Sequence, residues 1–270
     1  MLDEYGARRT ISIPAERALT VFVDNRELVT LMTLGAAPEL LVLGYLRNQR
    51  LVESLDDIDS ITVDWDVNAA AVKTRAGIER FDEKTAKRVV TTGCGQGTVF
   101  GDLMNELDTL HLPAADDPQA RLSQATLYGL LNAMRVQEST YKSSGSVHGC
   151  ALFQQDRLLT FVEDVGRHNA IDTIAGWMWL HGMDGADKIF YTTGRLTSEM
   201  VIKSAQMSVP IVVSRSGITQ MGLQIAQQLG LALFGRATNR HFICYCGFER
   251  FDAQPEPPRA GLTGEGVKIS

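Results

Sequence analysis

The chain has 270 residues, of which 44% are hydrophobic and 21% are charged, with a formal net charge of -6 at pH 7 and a pI near 5.4. This composition predicts a globular protein and gives no general attraction to nucleic acid or to an anionic membrane surface, so an anionic ligand would need a local cluster of cations. We find no apolar run long enough to span a membrane and no signal peptide in MLDEYGARRT, and therefore expect a cytoplasmic protein.

The first part of the chain predicts a small α+β roll. Residues 11–28 alternate β-branched and apolar residues around Asp24 and Asn25, which indicates two short strands joined by a turn. A helix is expected over residues 37–52, because Pro38 suits a first helical turn and apolar residues crowd one face. More strand-rich sequence follows. We assign residues 1–115 to this roll together with a glycine-rich loop that carries Cys94.

The second part of the chain predicts an α/β domain over residues 116–253. The segment HLPAADDPQA, residues 111–120, is rich in Pro, Ala and Asp and predicts a seam between two lobes. A long amphipathic helix follows, and then short apolar strands alternate with helices, which indicates a layered sheet with mostly parallel pairing. Residues 254–270 are rich in Pro and Gly and predict a mobile tail.

Polar residues follow four of the predicted strands, where α/β sheets commonly bind ligands. The four stretches are EDVGRHNA (163–170), TTGR (192–195), SRSGIT (214–219) and FGRATNR (234–240). Arginine can bind phosphate through two hydrogen bonds, so the last stretch, predicted to be a loop with Arg236 and Arg240, could form a local anion site. Ordinary solvated loops, with a polar residue capping each helix, are the alternative.

The cysteines raise a separate question. Cys94 lies between two glycines in TTGCGQG, which favours an accessible thiol with a lowered pKa, although a small buried side chain in a turn is the alternative. Cys244 and Cys246 form a CYC pair, but no second CxxC or His pair stands at a spacing known for zinc. His148 with Cys150 is no better. We predict no metal site and free thiols rather than disulfides.

Several motifs in order resemble the FdhD family of formate dehydrogenase accessory proteins. They are GCG (93–95), EDVGRHNAID (163–172), GRLTSEMVIKSA (194–205), SRSGIT (214–219) and LFGR (233–236), and the upstream APELLVLGYL is similar to a helix of that family. The resemblance implies a cytidine-deaminase-like α/β layered core with a smaller N-terminal α+β roll. It also implies a homodimeric sulfurtransferase that takes persulfide sulfur from a cysteine desulfurase. The sulfur then passes to the molybdenum of the bis-molybdopterin guanine dinucleotide cofactor, which the catalytic subunit of formate dehydrogenase requires.

The resemblance also suggests which residues carry this activity. Cys94 resembles the persulfide-carrying cysteine, and the segment resembling the cofactor-binding loop comprises Gly235, Arg236, Ala237, Thr238, Asn239 and Arg240. Further candidates for cofactor contacts are Arg167, His168 and Arg195. The chain departs from the family pattern in two places. Gly97 stands where many members have a second cysteine, and Arg236 stands where an aromatic residue is common.

Two other functions are alternatives to the sulfur carrier. A zinc hydrolase of the nucleotide-deaminase type would need H-x-E and P-C-x-x-C motifs, and the sequence contains neither. A non-catalytic carrier would bind the cofactor and dock on the dehydrogenase without moving sulfur. Replacing Cys94 by serine separates this second alternative from a sulfurtransferase, because a pure carrier would keep its effect on the dehydrogenase.

Overall fold

The computed structural model describes residues 1–78 and 107–254. Its first four strands are β1 (Arg17–Val23), β2 (Arg26–Thr33), β3 (Ile58–Asp64) and β4 (Ala69–Thr74). They form one sheet in the order β2-β1-β4-β3, with β1 parallel to β4 and antiparallel to β2. The predicted turn is confirmed: Asp24 and Asn25 have φ values of 47° and 66°, the left-handed geometry that suits a two-residue hairpin.

Helix α1 (Pro38–Asn48) covers one face of this sheet. Pro38 occupies the first turn, as the sequence predicts, because its missing N–H has no helical partner there in any case. The buried side chains of Leu41, Tyr45 and Leu46 pack with Leu19 and other strand residues in one apolar cluster. Burial of this cluster, rather than helix propensity alone, holds the helix in place.

A second sheet has six strands. They are β6 (His148–Gln154), β7 (Arg157–Asp164), β8 (Lys188–Thr192), β9 (Ile211–Ser214), β10 (Ala232–Thr238) and β11 (His241–Cys246), and two further short strands, β5 (Leu122–Ser123) and β12 (Phe251–Asp252), pair with each other. The order of the six is β11-β10-β9-β8-β6-β7. The described residues thus combine helices with mixed sheets, and the predicted α/β class is confirmed.

The expectation of mostly parallel pairing was wrong. Within the six-stranded sheet, only β8 with β9 and β9 with β10 pair in parallel, whereas β6 is antiparallel to both β7 and β8, and β10 is antiparallel to β11. The reason lies in two short hairpins. Gln155 and Asn239 adopt positive φ values of 55° and 53°, so two-residue turns return the chain beside the strand that it has just left.

Helices cover both faces of the six-stranded sheet. Their bounds are α2 (Gln124–Val136), α3 (Thr140–Ser144), α4 (Arg167–Leu180), α5 (Ser198–Gln206) and α6 (Gln220–Leu229). Helix α2 packs on one face, and α4, α5 and α6 pack on the other, each with its own buried cluster. Helix α4 also contacts α1 and so joins the two sheets. Among the helices of residues 1–78 and 107–254, none is long and apolar enough to cross a membrane.

The seam between the sheets is tied to the end of the described chain by Arg250, which is 3% exposed. Its guanidinium donates to the carbonyl oxygens of Pro113 at 2.6 Å, Ala114 at 3.1 Å and Ala120 at 3.4 Å, and to that of Gly230 at 2.8 Å. The segment predicted as a seam, residues 111–120, is thus fixed by hydrogen bonds to Arg250. The domain boundary at 115/116 stays a prediction, and residues 255–270 of the predicted tail lie outside the described residues.

Candidate functional site

Four strands of the six-stranded sheet end at one edge. Because β6 is antiparallel to both β7 and β8, strands β7, β8, β9 and β10 all run in one direction. The ends of β7, β8 and β9, at Asp164, Thr192 and Ser214, therefore lie side by side with the end of β10. The structure thus brings together the four polar stretches that follow these strands in the sequence.

Several hydroxyl groups of these turns are used inside the protein. Ser214 Oγ donates to the carbonyl oxygen of Gly194 at 2.6 Å, and Ser216 Oγ donates to that of Thr193 at 2.8 Å. Thr193 Oγ1 accepts a bond from the backbone N–H of Gly149 at 3.0 Å. These bonds hold neighbouring turns to one another, so the hydroxyls shape the edge of the sheet.

The acidic residues of EDVGRHNA are also committed to internal bonds. Asp164 accepts from the hydroxyl of Thr33 and, at 2.8 Å, from the amide of Asn169, which also donates to the carbonyl oxygen of Met32 at 2.6 Å. Glu163 accepts from the first two backbone N–H groups of α3 at 2.7 and 2.8 Å. The motif therefore joins the edge to β2 and caps α3, which its sequence does not reveal.

Arg167 differs from these acidic residues, because one of its buried nitrogen atoms has no hydrogen-bond partner. It is the first residue of α4 and is 7% exposed, and its Nε is buried without a hydrogen-bond partner. Its side chain runs beside Gly194, where an added Cβ would lie 3.0 Å from Arg167 Cδ. Nearby, His148 Nδ1 is also buried and unpartnered, whereas Arg195 is exposed. Burial, and then the charges of Arg167 and Arg195, lower the pKa of His148.

His168 faces a buried network of charges. Its Nε2 lies 3.3 Å from a carboxylate oxygen of Glu199, whose other oxygen lies 3.3 Å from Lys203 Nζ. Lys203 in turn pairs with Asp172 at 2.9 Å, and Asn48 of α1 donates to Asp172 at 2.7 Å. Burial raises the pKa of Asp172, while the Lys203 ammonium opposes that shift. The network links α1, α4 and α5 directly beneath the edge.

The predicted loop over residues 235–240 was wrong as a description of the backbone. Strand β10 continues to Thr238 and β11 begins at His241, so only Asn239 and Arg240 form the turn. The positive φ of Asn239, 53°, allows this tight connection. The polar side chains of this segment consequently project from a hairpin rather than from a long loop.

The first three residues of the segment have different surroundings. Gly235 is buried where an added Cβ would lie 2.6 Å from a ring carbon of Tyr245 and 3.0 Å from the carbonyl oxygen of Ser216, so a larger residue would have to displace the tyrosine. Arg236 is exposed, and its backbone N–H donates to the same Ser216 oxygen at 2.9 Å. Ala237 is 1% exposed in the cluster beneath α2. Of the three, only Arg236 presents a polar side chain to solvent.

A cleft of about 190 Å³ lies on the α2 side of the edge. Its described lining consists of Leu131, Met134, Arg135, Lys142, Tyr191, Arg215, Ala237, Thr238 and Asn239. None of these residues is acidic. The Arg215 guanidinium lies 5.6 Å from the ring centroid of Tyr141, and burial raises the pKa of Tyr191 to about 12. The cleft therefore combines cations with neutral hydrogen-bonding groups, which suits an anion.

A second recess of about 300 Å³ shares part of this lining. It is bounded by Tyr128, Leu131, Asn132, Arg135, Asn239 and Arg240. The Arg240 guanidinium lies 5.6 Å from the ring centroid of Tyr128, a cation–π distance. We call the cleft and the recess together the basic cleft. It offers an aromatic face, amide groups and the guanidinium groups of three arginines, a combination that suits a planar ring carrying phosphates.

Comparison with known protein families shows which family the chain belongs to. The sequence profile of the FdhD/NarQ family matches residues 14–252. The chain belongs to the FdhD/NarQ family. It is 31% identical over 236 residues to the sulfur carrier protein FdhD of Bacillus subtilis, which covers 87% of this chain and 88% of that protein.

Two further comparisons agree with this membership of the FdhD/NarQ family. The chain is 27% identical over 268 residues to the sulfur carrier protein FdhD of Wolinella succinogenes, with 97% of this chain and 92% of that protein covered. A crystal structure from Desulfotalea psychrophila, assigned as a formate dehydrogenase accessory protein, superposes with a TM-score of 0.71 at 24% identity. It covers 93% of this chain and 96% of that one, and the likeness concerns the fold.

Three of the four cysteines of this FdhD/NarQ chain lie in the described residues, and their surroundings make all three poor nucleophiles. Burial raises the pKa of Cys150 to about 12, although its thiol bonds to Thr192 Oγ1 at 3.3 Å. Burial likewise raises the pKa of Cys244 and of Cys246 to about 11. The predicted carrier, Cys94, lies outside the described residues.

The sequence reasoning missed several residues of the edge. Tyr128, Asn132 and Arg135 follow one another at helical spacing on α2, a polar stripe that could have indicated a lined cleft. Arg215 lies inside SRSGIT, but its role was not recognised. In the sequence, His148 stands out only as a possible metal ligand beside Cys150. Within residues 1–78 and 107–254, no group of three or more His, Cys, Asp and Glu side chains is placed to hold a metal ion.

Proposed function

We propose that this chain is a sulfur carrier that serves formate dehydrogenase. Cys94 takes persulfide sulfur from a cysteine desulfurase and passes it to the molybdenum of bis-molybdopterin guanine dinucleotide before that cofactor enters the catalytic subunit. The proposal is supported by membership of the FdhD/NarQ family over residues 14–252 and by relatives named sulfur carrier protein FdhD. A homodimer and a cytidine-deaminase-like core belong to the same proposal, because the family resemblance implies both.

The raised pKa values of the other three cysteines support Cys94 as the sulfur-carrying residue. A persulfide carrier must attack as a thiolate. With pKa values of about 11 to 12, Cys150, Cys244 and Cys246 are almost wholly protonated near neutral pH. Cys94, between Gly93 and Gly95, is the remaining thiol of the chain. Glycine has no side chain beyond hydrogen, so the sequence around Cys94 favours an accessible thiol.

The chemistry needs only one cysteine. The Cys94 thiolate attacks the outer sulfur of the desulfurase persulfide, the S–S bond of that persulfide breaks, and the desulfurase cysteine leaves as a thiolate. In the second transfer the S–S bond of the Cys94 persulfide would break, Cys94 would keep the bonding electron pair as a thiolate, and the client cofactor would supply the electron pair that accepts the outer sulfur. Neither transfer uses a second thiol of this chain, so Gly97 is compatible with it.

The basic cleft supports the choice of a guanine dinucleotide as the client. Its described lining includes Arg135, Arg215 and Arg240 and no carboxylate. We propose that Thr238 and Asn239 contact the client directly, while Gly235 and Ala237 shape the hairpin that presents them and Arg236 contributes charge. Further proposed contacts are Arg167, His168 and Arg195, with His168 Nε2 lying 3.3 Å from a carboxylate oxygen of Glu199.

Mass spectrometry tests this function directly. The purified protein is incubated with a cysteine desulfurase and cysteine, and each of its cysteines is examined for one added sulfur atom. We expect sulfur on Cys94, its loss when the dinucleotide cofactor is added, and no labelling in Cys94→Ser. Cys244→Ser is the matched control and should label normally. An unmodified Cys94 in a protein that still binds the cofactor would instead indicate a non-catalytic carrier.

A further inference from the structure

A second group of cations lies on the α4 side of the sheet, whereas the basic cleft lies on the α2 side. The strand register brings its members together. Cys150 pairs with Thr192 across β6 and β8, and Gly149 exchanges hydrogen bonds with Thr193, so the next position, His148, lies opposite Gly194. The side chain of Arg167 runs along Gly194, with Cδ 3.0 Å from the position of an added Cβ. His148 and Arg167 are therefore neighbours.

Arg167 and His148 both hold polar atoms without a partner. Arg167 is 93% buried, since it is 7% exposed, and its Nε has no hydrogen bond, nor does Nδ1 of His148. The acidic residues of the same motif do not neutralise the Arg167 charge through an ion pair. Asp164 and Glu163 accept hydrogen bonds from other groups, and neither forms an ion pair with Arg167 in the described structure. Buried polar atoms without partners are rare, and they mark places where a ligand or water binds.

The start of α4 provides further donors. Gly166 stands at its N-cap position, so no side chain caps the first turn. The positive end of the α4 helix dipole lies here and favours an anion, an effect that adds to the arginine charges. By contrast, Thr219 caps α6 by accepting from the N–H of Gly222, so not every helix at this edge is open in this way.

We propose that His148, Arg167, Arg195 and the first turn of α4 form a binding site for a phosphate group. The groups available to a ligand are cations and N–H donors, which match a ligand that only accepts hydrogen bonds and carries negative charge. The lowered pKa of His148 agrees with this, because burial and then the charges of Arg167 and Arg195 disfavour its protonation. The site itself does not depend on the sulfur carrier function. Only the identification of its phosphate with that of the nucleotide client rests on the proposed function.

An NMR titration of the full chain with inorganic phosphate tests the site. The ring signals of His148 are assigned by comparison with His148→Gln. We expect phosphate to raise the pKa of His148, because a bound anion offsets the charges of Arg167 and Arg195. Sodium chloride at the same ionic strength serves as the control for screening. A His148 titration that phosphate leaves unchanged in the wild-type chain would overturn the proposal without any variant.

Substitutions of single arginines test whether phosphate binds at Arg167. Arg167→Met should weaken phosphate binding by about tenfold or more, the loss expected for one charge-assisted hydrogen bond. Arg157→Met removes an exposed arginine at the far end of β7 and should bind phosphate as the wild type does. If Arg167→Met does not fold, Arg167→Lys keeps the charge but lacks Nε, and it should also bind more weakly. Unchanged affinity in a folded Arg167 variant contradicts the site.

A competition experiment separates the sources of the phosphate. If guanosine diphosphate displaces inorganic phosphate and shifts His148 in the same direction, the site holds the phosphates of a nucleotide. If both bind together, the site takes free phosphate. The readout is independent of sulfur transfer. Phosphate binding without sulfur on Cys94 would contradict only the sulfur carrier, and sulfur on Cys94 without phosphate binding would contradict only this site.

Discussion

Gly44 of α1 and Gly176 of α4 face each other where the two helices meet, and neither position has room for a side chain. A Cβ on Gly44 would lie 1.7 Å from the carbonyl oxygen of Asp172, and one on Gly176 would lie 2.1 Å from that of Leu40. Both obstacles are backbone atoms of the opposite helix, which cannot rotate aside. The contact holds the four-stranded sheet and its helix against α4, whose first residue is Arg167.

This contact predicts the effect of one added methyl group. Gly44→Ala should lower the free energy of unfolding by about 3 kcal/mol or more, because the helices must separate to admit it. Urea denaturation followed by circular dichroism measures the change. Gly217→Ala is the matched control, since an added Cβ there meets no atom within 4 Å, and it should cost about 0.5 kcal/mol or less. Equal midpoints for Gly44→Ala and the wild type would contradict the observed packing.

The buried network predicts a strong dependence on Lys203. Both Lys203 and Asp172 are 0% exposed, and Glu199 completes the pairing. Lys203→Met should cost about 3 to 5 kcal/mol, because it leaves buried carboxylates without their cation. Lys73→Met removes an exposed partner of Asp59 and should cost at most about 0.5 kcal/mol. Similar denaturation midpoints for the two variants would show that the buried pair contributes little.

The lowered pKa of His148 predicts a dependence of stability on pH. The folded chain binds a proton at His148 less readily than the unfolded chain, whose value is near 6.5. Stability should therefore fall as the pH drops from about 6.5 towards the lowered pKa of the folded state. The contribution should be at most about 1 kcal/mol, because the imidazole is only partly buried.

Comparison with His148→Gln isolates this contribution from those of the other histidines. Free energies of unfolding of both proteins are measured at pH about 7.5 and about 5.5. The wild type should lose more stability than the variant on acidification. A larger loss in the variant would reverse the sign that burial and the two arginines require.

The raised pKa values of three cysteines predict selective alkylation. At pH about 8 only about one in a thousand thiols with a pKa near 11 is ionised, and burial further limits access. Cys150, Cys244 and Cys246 should therefore remain unlabelled by iodoacetamide in the native protein and become labelled in denaturant. Peptide mass spectrometry reads each site separately. Fast native labelling of Cys244, the most accessible of the three, would contradict its assigned environment.

Local sequence signals predicted most individual elements. The β1–β2 turn was foreseeable because Asp24 and Asn25 tolerate left-handed backbone geometry, and α1 because Pro38 precedes an apolar helical face. Strand direction was not foreseeable in the same way. The left-handed position of the β6–β7 turn is occupied by Gln155 rather than by glycine or asparagine. The usual sequence signal for a two-residue hairpin is therefore missing there, although β6 and β7 are antiparallel.

The sequence predicted which polar stretches meet at the edge of the six-stranded sheet, but it did not predict the hydrogen bonds that their side chains make. The strand-end rule identified the stretches that meet there, because strand direction alone decides which ends share an edge. It did not show that Asp164 and Asn169 bond to β2, more than a hundred residues away in the chain. Nor did it show that Nε of Arg167 is buried without a hydrogen-bond partner. Such facts depend on tertiary contacts between distant segments.

The position of Arg250 also orders events during synthesis of the chain. The carbonyl groups of Pro113, Ala114 and Ala120 are synthesised well before the residue that binds them, because Arg250 follows Ala120 by 130 residues. The sheet of residues 17–74 can form first. The hydrogen bonds of Arg250 to residues 113–120 therefore form after both helices of the α1–α4 contact have already been synthesised.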